Sequence, residues 1–279
     1  MLIAQYFVEF IFYSFLGWVW ESFYCTVREK HWQDRGFLFG PYCPIYGSCI
    51  VGAEILFGHI LPGEMSDMSI PMIFAVSYIG SAIVEYVTSW VLEKRFHARW
   101  WDYSYMPLNI NGRICVPASI GFGVAGVFCV KVLIPWMGEM HALIPGLVYE
   151  GLAMILAMIF GADIALTETS LNALLKRLED YKADFNQHAQ ETYVRISEAP
   201  EAIQTALEEQ REDLRERREE FGDELKAIGE EIINDHIRRL NGFQKSKLKN
   251  MTRFMPGLPE DRDVLEKLRE GALKFKRDK

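Results

Sequence analysis

Five carboxylates stand inside stretches that are otherwise apolar: Glu21, Glu54, Glu85, Glu150 and Asp163. A charge held at mid-bilayer on one helix costs about 2.5–3.5 kcal/mol, so each needs a partner, a proton or water. Glu85 is the most informative. Ser77, Ser81, Glu85, Thr88 and Ser89 recur at spacings of three and four and so form one polar stripe on a helix. Such a stripe is expected to face a neighbouring helix or a wet cavity. Glu21, one turn beyond Gly17 and Trp18, is placed to pair with an arginine of an adjoining loop, Arg35 or Arg113. Asp163 and Glu9 read as interfacial carboxylates.

Two basic segments carry the rest of the chemistry. "RGFLFGPYCPIYG" packs Arg35, Gly36, Gly40, Pro41, Pro44, Tyr46 and Gly47 into one short stretch. Its glycines accept backbone shapes other residues resist, and its prolines forbid a regular helix through 40–44. Irregular backbone survives at membrane depth only when it is buried in protein or lines water. The segment is therefore expected to be a re-entrant or interfacial loop, with Arg35 as its charged anchor. The second segment, "RWWDYSYMPLNINGRICVP", offers Trp100, Trp101, Tyr103 and Tyr105 to an interfacial belt. Asp102, Asn109 and Arg113 are not needed for that purpose, which makes them site candidates; Asn109–Gly112 reads as a turn.

The elements that must position these residues are long apolar helices. Windows at about 4–24, 44–62, 71–92, 115–137 and 142–167 approach the roughly 20 residues that cross a ~30 Å hydrocarbon core; the second, carrying Glu54 and His59, is the weakest. The expected fold is all-α, a polytopic bundle of about five transmembrane helices. No basic residue precedes the first window and no small-residue cleavage site follows it, so it reads as a retained span. Residues 1–167 hold only 8 of the 30 Lys/Arg and 13 of the 38 Asp/Glu. Charge therefore divides the chain near residue 168 into a bundle and a charged helical tail, 168–279.

Loop charge predicts orientation. Segments 25–43 and 93–114 hold seven basic residues, whereas 63–70 and 138–141 hold none. The N-terminus is expected outside and the tail in the cytoplasm. In the tail, Leu171, Leu174, Leu178, Tyr181 and Phe185 make one helix seam. Ile203, Leu207, Leu214, Phe221, Leu225, Ile228 and Ile232 make a second, a pattern that fits paired helices or a coiled coil between subunits. The mixed signs of its charge argue against nucleic acid. Phe243, Phe254, Lys245, Lys247 and Lys249 are placed to touch an anionic membrane surface.

The five cysteines, Cys25, Cys43, Cys49, Cys115 and Cys129, form no C-x-x-C pair or zinc spacing. Buried thiols are expected, with no disulfide framework, metal or other cofactor. The chain shows no G-x-x-x-x-G-K-[ST] loop, no Ser-His-Asp order and no H-E-x-x-H. Those absences favour a role other than catalysis.

"YSFLGWVWES", "RGFLFGPYCPIYG", the Glu85 helix and the "WDYS" to "GRIC" segment together resemble a family of bacterial multi-pass membrane proteins, the CmpB-like ABC transporter permeases of type IV. The resemblance covers about residues 6–165 and leaves the tail outside. Carried over position by position, its characteristic residues are Gly17, Trp18, Glu21, Arg35, Gly36, Gly40, Pro41, Pro44, Tyr46, Gly47, Glu85, Trp101, Asp102, Tyr103, Asn109, Gly112 and Arg113. It implies a permease component of the bacterial cytoplasmic membrane. A cavity around Glu85 would be energised by a separate ATP-binding subunit docked on the cytoplasmic loops or tail. Five spans are few for a complete pathway, so a homo- or hetero-oligomer is expected. Two other readings stay open at this point: a membrane anchor whose tail recruits a partner, and an enzyme that acts on a lipid-linked substrate through Glu21, Arg35, Asp102 and Arg113.

Overall fold

The computed structural model describes residues 2–30, 35–62, 65, 67–197, 238–250 and 253–254. Helix α1 spans Leu2–Glu29. Helices α2 (Pro44–Ile55), α3 (Ile70–Phe96), α4 (Val116–Phe128) and α5 (Ile134–Leu143) each carry proline in the first turn. There its fixed φ suits the helix and its missing N–H is one the first turn could not bond. Two π-helical segments interrupt the regular pattern: Leu56–Ile60 continues α2, and Cys129–Leu133 joins α4 to α5. Helix α3 stops at His97, in the left-handed region at φ 52°, whose N–H bonds the Glu93 carbonyl at 2.9 Å. Helix α6 runs Gly146–Ser197 and α7 Gly242–Asn250.

Four two-residue strands are found among the described residues. β1 (Ala98–Arg99) pairs antiparallel with β4 (Arg253–Phe254), Ala98 opposite Phe254. β2 (Asn109–Ile110) pairs with β3 (Ile114–Cys115), Asn109 opposite Cys115.

The all-α membrane architecture is as expected, with one adjustment. Leu2–Arg28, Ile70–Phe96, Val116–His141 and Gly146–Arg177 are long and apolar enough to cross a membrane. The expected span 44–62 is a shorter apolar helix, Pro44–Ile60, about 25 Å long. It is shorter because Leu61, held extended before Pro62, ends the helix at Ile60; the segment before it stays irregular as far as Cys43. That segment has already reached the middle of α1, where Cys43 N donates to the Ser14 carbonyl at 2.9 Å.

Apolar side chains cover the outside of these helices: Phe23 and Val27 on α1, Ile79 and Ile83 on α3, Met154 and Met158 on α6 all stand exposed. In water this would be a severe aggregation liability; in lipid it is the solvated face. With lipid on that side, helix association rests on close packing, which small residues permit. Gly17 faces the Tyr46 ring, and Gly47 faces Ser14 and the Phe10 carbonyl. Tyr6 reaches His59. As the α1 number falls its α2-side partner rises, so the two helices run antiparallel. Gly123 and Gly126 similarly accept Phe74 and Ser77 of α3. The small-residue stripe Ala153, Ala157 and Gly161 is not such a contact: Ala157 and Gly161 are exposed, and a Cβ added at Gly161 would meet open space. Helix α6 meets α1 through Phe160 instead, packed on Phe7 and Phe10. A core of Phe57, Met68, Ile73, Val130 and Ile134 gathers both π segments at the start of α3.

The chain divides into two compact units, Met1–Thr169 with Asn250–Met255, and Ser170–Lys249 with Pro256–Lys279. In the second, Leu171 and Leu174 are fully buried. Asn241 and Gln244 exchange side-chain-to-backbone bonds of 2.8 and 3.1 Å, a reciprocal cap at the start of α7. Lys247, expected at a membrane surface, is fully buried with its ammonium 5.0 Å from the Phe243 ring centroid. The side chains of Leu178, Tyr181 and Phe185 and the whole seam from Ile203 to Ile232 lie outside the described residues.

Candidate functional site

The irregular segment 35–43 is held by one carboxylate. Asp163 of α6, 8% exposed, accepts from Phe39 N at 2.8 Å and Gly40 N at 2.7 Å. Thr167, one turn on, donates to it at 3.1 Å. Charge-assisted bonds to two consecutive amides fix a loop far better than neutral ones. A Cβ at Gly40 would lie 2.7 Å from that carboxylate, so no larger residue fits the clamp. Asp163 is thus a buried structural anchor and not an interfacial group. Leu38 is 2% exposed, and the Phe37 ring packs on Phe96 and Trp100 at 5.6 and 5.4 Å between centroids. Trp100, expected in an interfacial belt, is buried in this aromatic cluster.

The second segment folds around a turn. Asn111 and Gly112 have φ of 53° and 67°, and Arg113 N bonds the Ile110 carbonyl at 3.0 Å. Left-handed residues in tandem match the twist of a two-stranded hairpin, and Asn-Gly suits them best. A side chain at Gly112 would also collide with Asp102 and Ser104. Asn109 braces the turn, donating to the Met106 carbonyl at 2.8 Å and accepting from Gly112 N at 3.0 Å. Asp102 accepts from Ser104 N at 2.9 Å. Trp101 Nε1 donates to the Arg113 carbonyl at 2.9 Å.

This scaffold brings two guanidinium groups onto one buried carboxylate. Glu93 Oε2 lies 2.7 Å from Arg99 Nε and 2.5 Å from Arg113 Nη2, all three side chains under a tenth exposed. Arg99 also donates to the Asn111 carbonyl at 2.8 Å, and Arg113 to Ser89 Oγ at 3.2 Å. The Arg113 guanidinium lies 5.5 Å from the Tyr86 ring centroid, and Tyr86 OH accepts from Asn111 Nδ2 at 3.1 Å. Beside them opens a polar cavity of about 390 Å³, lined by Tyr86, Arg99, Ser104, Asn109, Asn111, Gly112 and Arg113.

Two further carboxylates find tyrosines. Tyr46 OH donates to Glu21 Oε2 at 2.5 Å, and Tyr103 OH to Glu85 Oε1 at 3.3 Å. Burial first, and the Glu85 carboxyl second, hold the Tyr103 phenol above its ordinary pKa, so it stays a neutral donor. Glu21 therefore pairs with neither expected arginine: Arg113 is taken by Glu93. Arg35 is half-buried at the head of its segment. Among the described residues no three His, Cys, Asp or Glu side chains gather to hold a metal ion.

The structure so brings Glu21, Tyr46, Glu85, Tyr103, Asn109 and Arg113 to one end of the bundle. Sequence reasoning missed Glu93 and Arg99, and it misread Asp163 as interfacial. Glu93 left a signal, since it continues the Glu85–Ser89 spacing by four.

Residues 8–168 match the family described as "Putative ABC-transporter type IV". The chain belongs to this family. The match covers the bundle, both motif-bearing segments and the Asp163 clamp. No curated protein and no solved structure matches the chain.

Proposed function

We propose that the chain is the membrane component of an ABC-type transporter, with its polar cavity at the end where the two basic segments meet. A separate ATP-binding subunit supplies the energy. The observation that carries this reading is the buried Arg99–Glu93–Arg113 group beside the open cavity. A bundle needed only as an anchor gains nothing from burying three charges, which are costly to desolvate. Family membership supports the transport class.

The seven basic residues of 25–43 and 93–114 support a cytoplasmic location for this end. With Pro44–Ile60 and the segment before it completing one crossing, the chain passes five times and the N-terminus lies outside. The membrane is the bacterial cytoplasmic membrane, and oligomerisation supplies the remaining helices of a pathway.

Purification of the tagged full-length protein from native membranes in mild detergent, followed by mass spectrometry, tests the proposal. An ATP-binding subunit is expected at a fixed ratio, with ATP hydrolysis that falls at least tenfold in Arg113→Gln, which changes the cavity lining. Recovery of the chain with lipid alone would exclude the transporter reading.

A further inference from the structure

A second polar cluster is buried at the opposite end of the bundle, about 18 Å along α1 from Glu21. Glu9 of α1 is 1% exposed, not interfacial, and the Glu54 carboxyl of α2 faces it within hydrogen-bonding range. His141, at the end of α5, places Nε2 2.7 Å from Glu9 Oε1, close enough for an ion pair but out of line for a hydrogen bond. Tyr13, one turn beyond Glu9, is fully buried; its hydroxyl lies near both carboxyls with no hydrogen-bond partner. Both Glu9 oxygens and Glu54 Oε2 are equally without a donor.

Among the described residues, other titratable groups also face the cluster. Tyr6 OH bonds His59 Nε2 at 2.8 Å, Cys129 looks in from the second π segment, and the Tyr149 ring of α6 lies 5.2 Å from the His141 ring. Two ionised carboxylates facing each other can only accept, and they repel. One proton between them makes one a donor and gives both a bond. No three-ligand metal arrangement forms here among the described residues.

We propose that Glu9, Glu54 and His141 form a proton-binding site: the carboxyls share one proton, and His141 passes it to and from the bundle surface. On release a turn of the His141 ring brings Nε2 into line with Glu9 Oε1, 2.7 Å away, and the shared proton moves to it. That leaves two carboxylates beside an imidazolium, which gives up its Nδ1 proton to water and is left as the neutral Nε2–H ring; the proton lost outside replaces the one taken from the pair. His141 suits the relay because its side chain, unlike that of Glu9, is 18% exposed. The site is independent of the cavity at the other end and of any ATPase.

Infrared spectroscopy of the full-length protein in detergent at neutral pH tests this. The wild-type spectrum minus that of Glu9→Gln, and minus that of Glu54→Gln, should each contain the C=O stretch of a protonated carboxyl. Subtracting Glu139→Gln, an exposed glutamate of α5, should not. In His141→Gln the band should remain, but its shift on transfer to D2O should slow at least tenfold. Differences holding only carboxylate bands would overturn the proposal, as would unchanged exchange in His141→Gln. The wild-type protein gives a second test that needs no variant. Dicyclohexylcarbodiimide, which attacks protonated buried carboxyls, should label Glu9 or Glu54 in peptide mapping, less so as pH rises. Labelling of neither would refute the site.

Discussion

At the scale of single residues, Glu93 matters most at the candidate site. Removing it in Glu93→Ala leaves Arg99 and Arg113 buried side by side without their shared carboxylate, a loss of about 3–5 kcal/mol. Thermal unfolding in detergent should show a large drop in midpoint, and Glu93→Gln, which keeps the shape and one acceptor, a smaller one. An unchanged midpoint would mean that the arginines are held by other groups. The Glu85 stripe was legible because helical spacing is written in the chain. The partner of Glu21 was not, since spacing gives a face but never the neighbour on it. Asp163 was misread for a related reason: the amides it caps lie 124 and 123 residues upstream.

At the scale of elements, the α1–α2 contact depends on two glycines whose neighbours are already touching. Gly47→Leu places carbon where Ser14 and the Phe10 carbonyl sit. It should destabilise the protein by at least the 1–3 kcal/mol typical of overpacking. Gly58→Leu, where a side chain meets open space, should leave the unfolding midpoint nearly unchanged. Equal effects of the two substitutions would show that this antiparallel contact is not what positions α2. Helix existence was plain from apolar length, and Pro44, Pro71, Pro117 and Pro135 marked helix starts. The irregular backbone as far as Cys43 was legible from Pro41 and Pro44. The choice of Gly17, Gly47, Gly123 and Gly126 over the equally small Ala153 stripe was not, because both patterns look alike without a partner.

At the scale of the whole molecule, the arrangement predicts which surfaces share a side. Leu108, beside the candidate cavity, and Leu143, at the end of α5, are 75% and 73% exposed. Introduced singly on a background without the native cysteines, Leu108→Cys and Leu143→Cys should react with a membrane-impermeant thiol reagent from opposite faces of sealed vesicles. Reaction from one face would break the five-crossing reading. Charge asymmetry is the signal the sequence offers at this level, and the labelling experiment is what checks it; the second helix seam of the tail lies beyond the described residues.

The apolar knot of Phe57, Met68, Ile73, Val130 and Ile134 has its own consequence. It packs the end of the bundle remote from the arginine cavity and, on the transporter reading proposed above, would be the shut side of the pathway. Cargo travelling the full depth would have to part Phe57 from Val130. Each of those residues sits in a π turn, a form of helix frequent at functional sites. The far gate and its hinge would then be the same few residues.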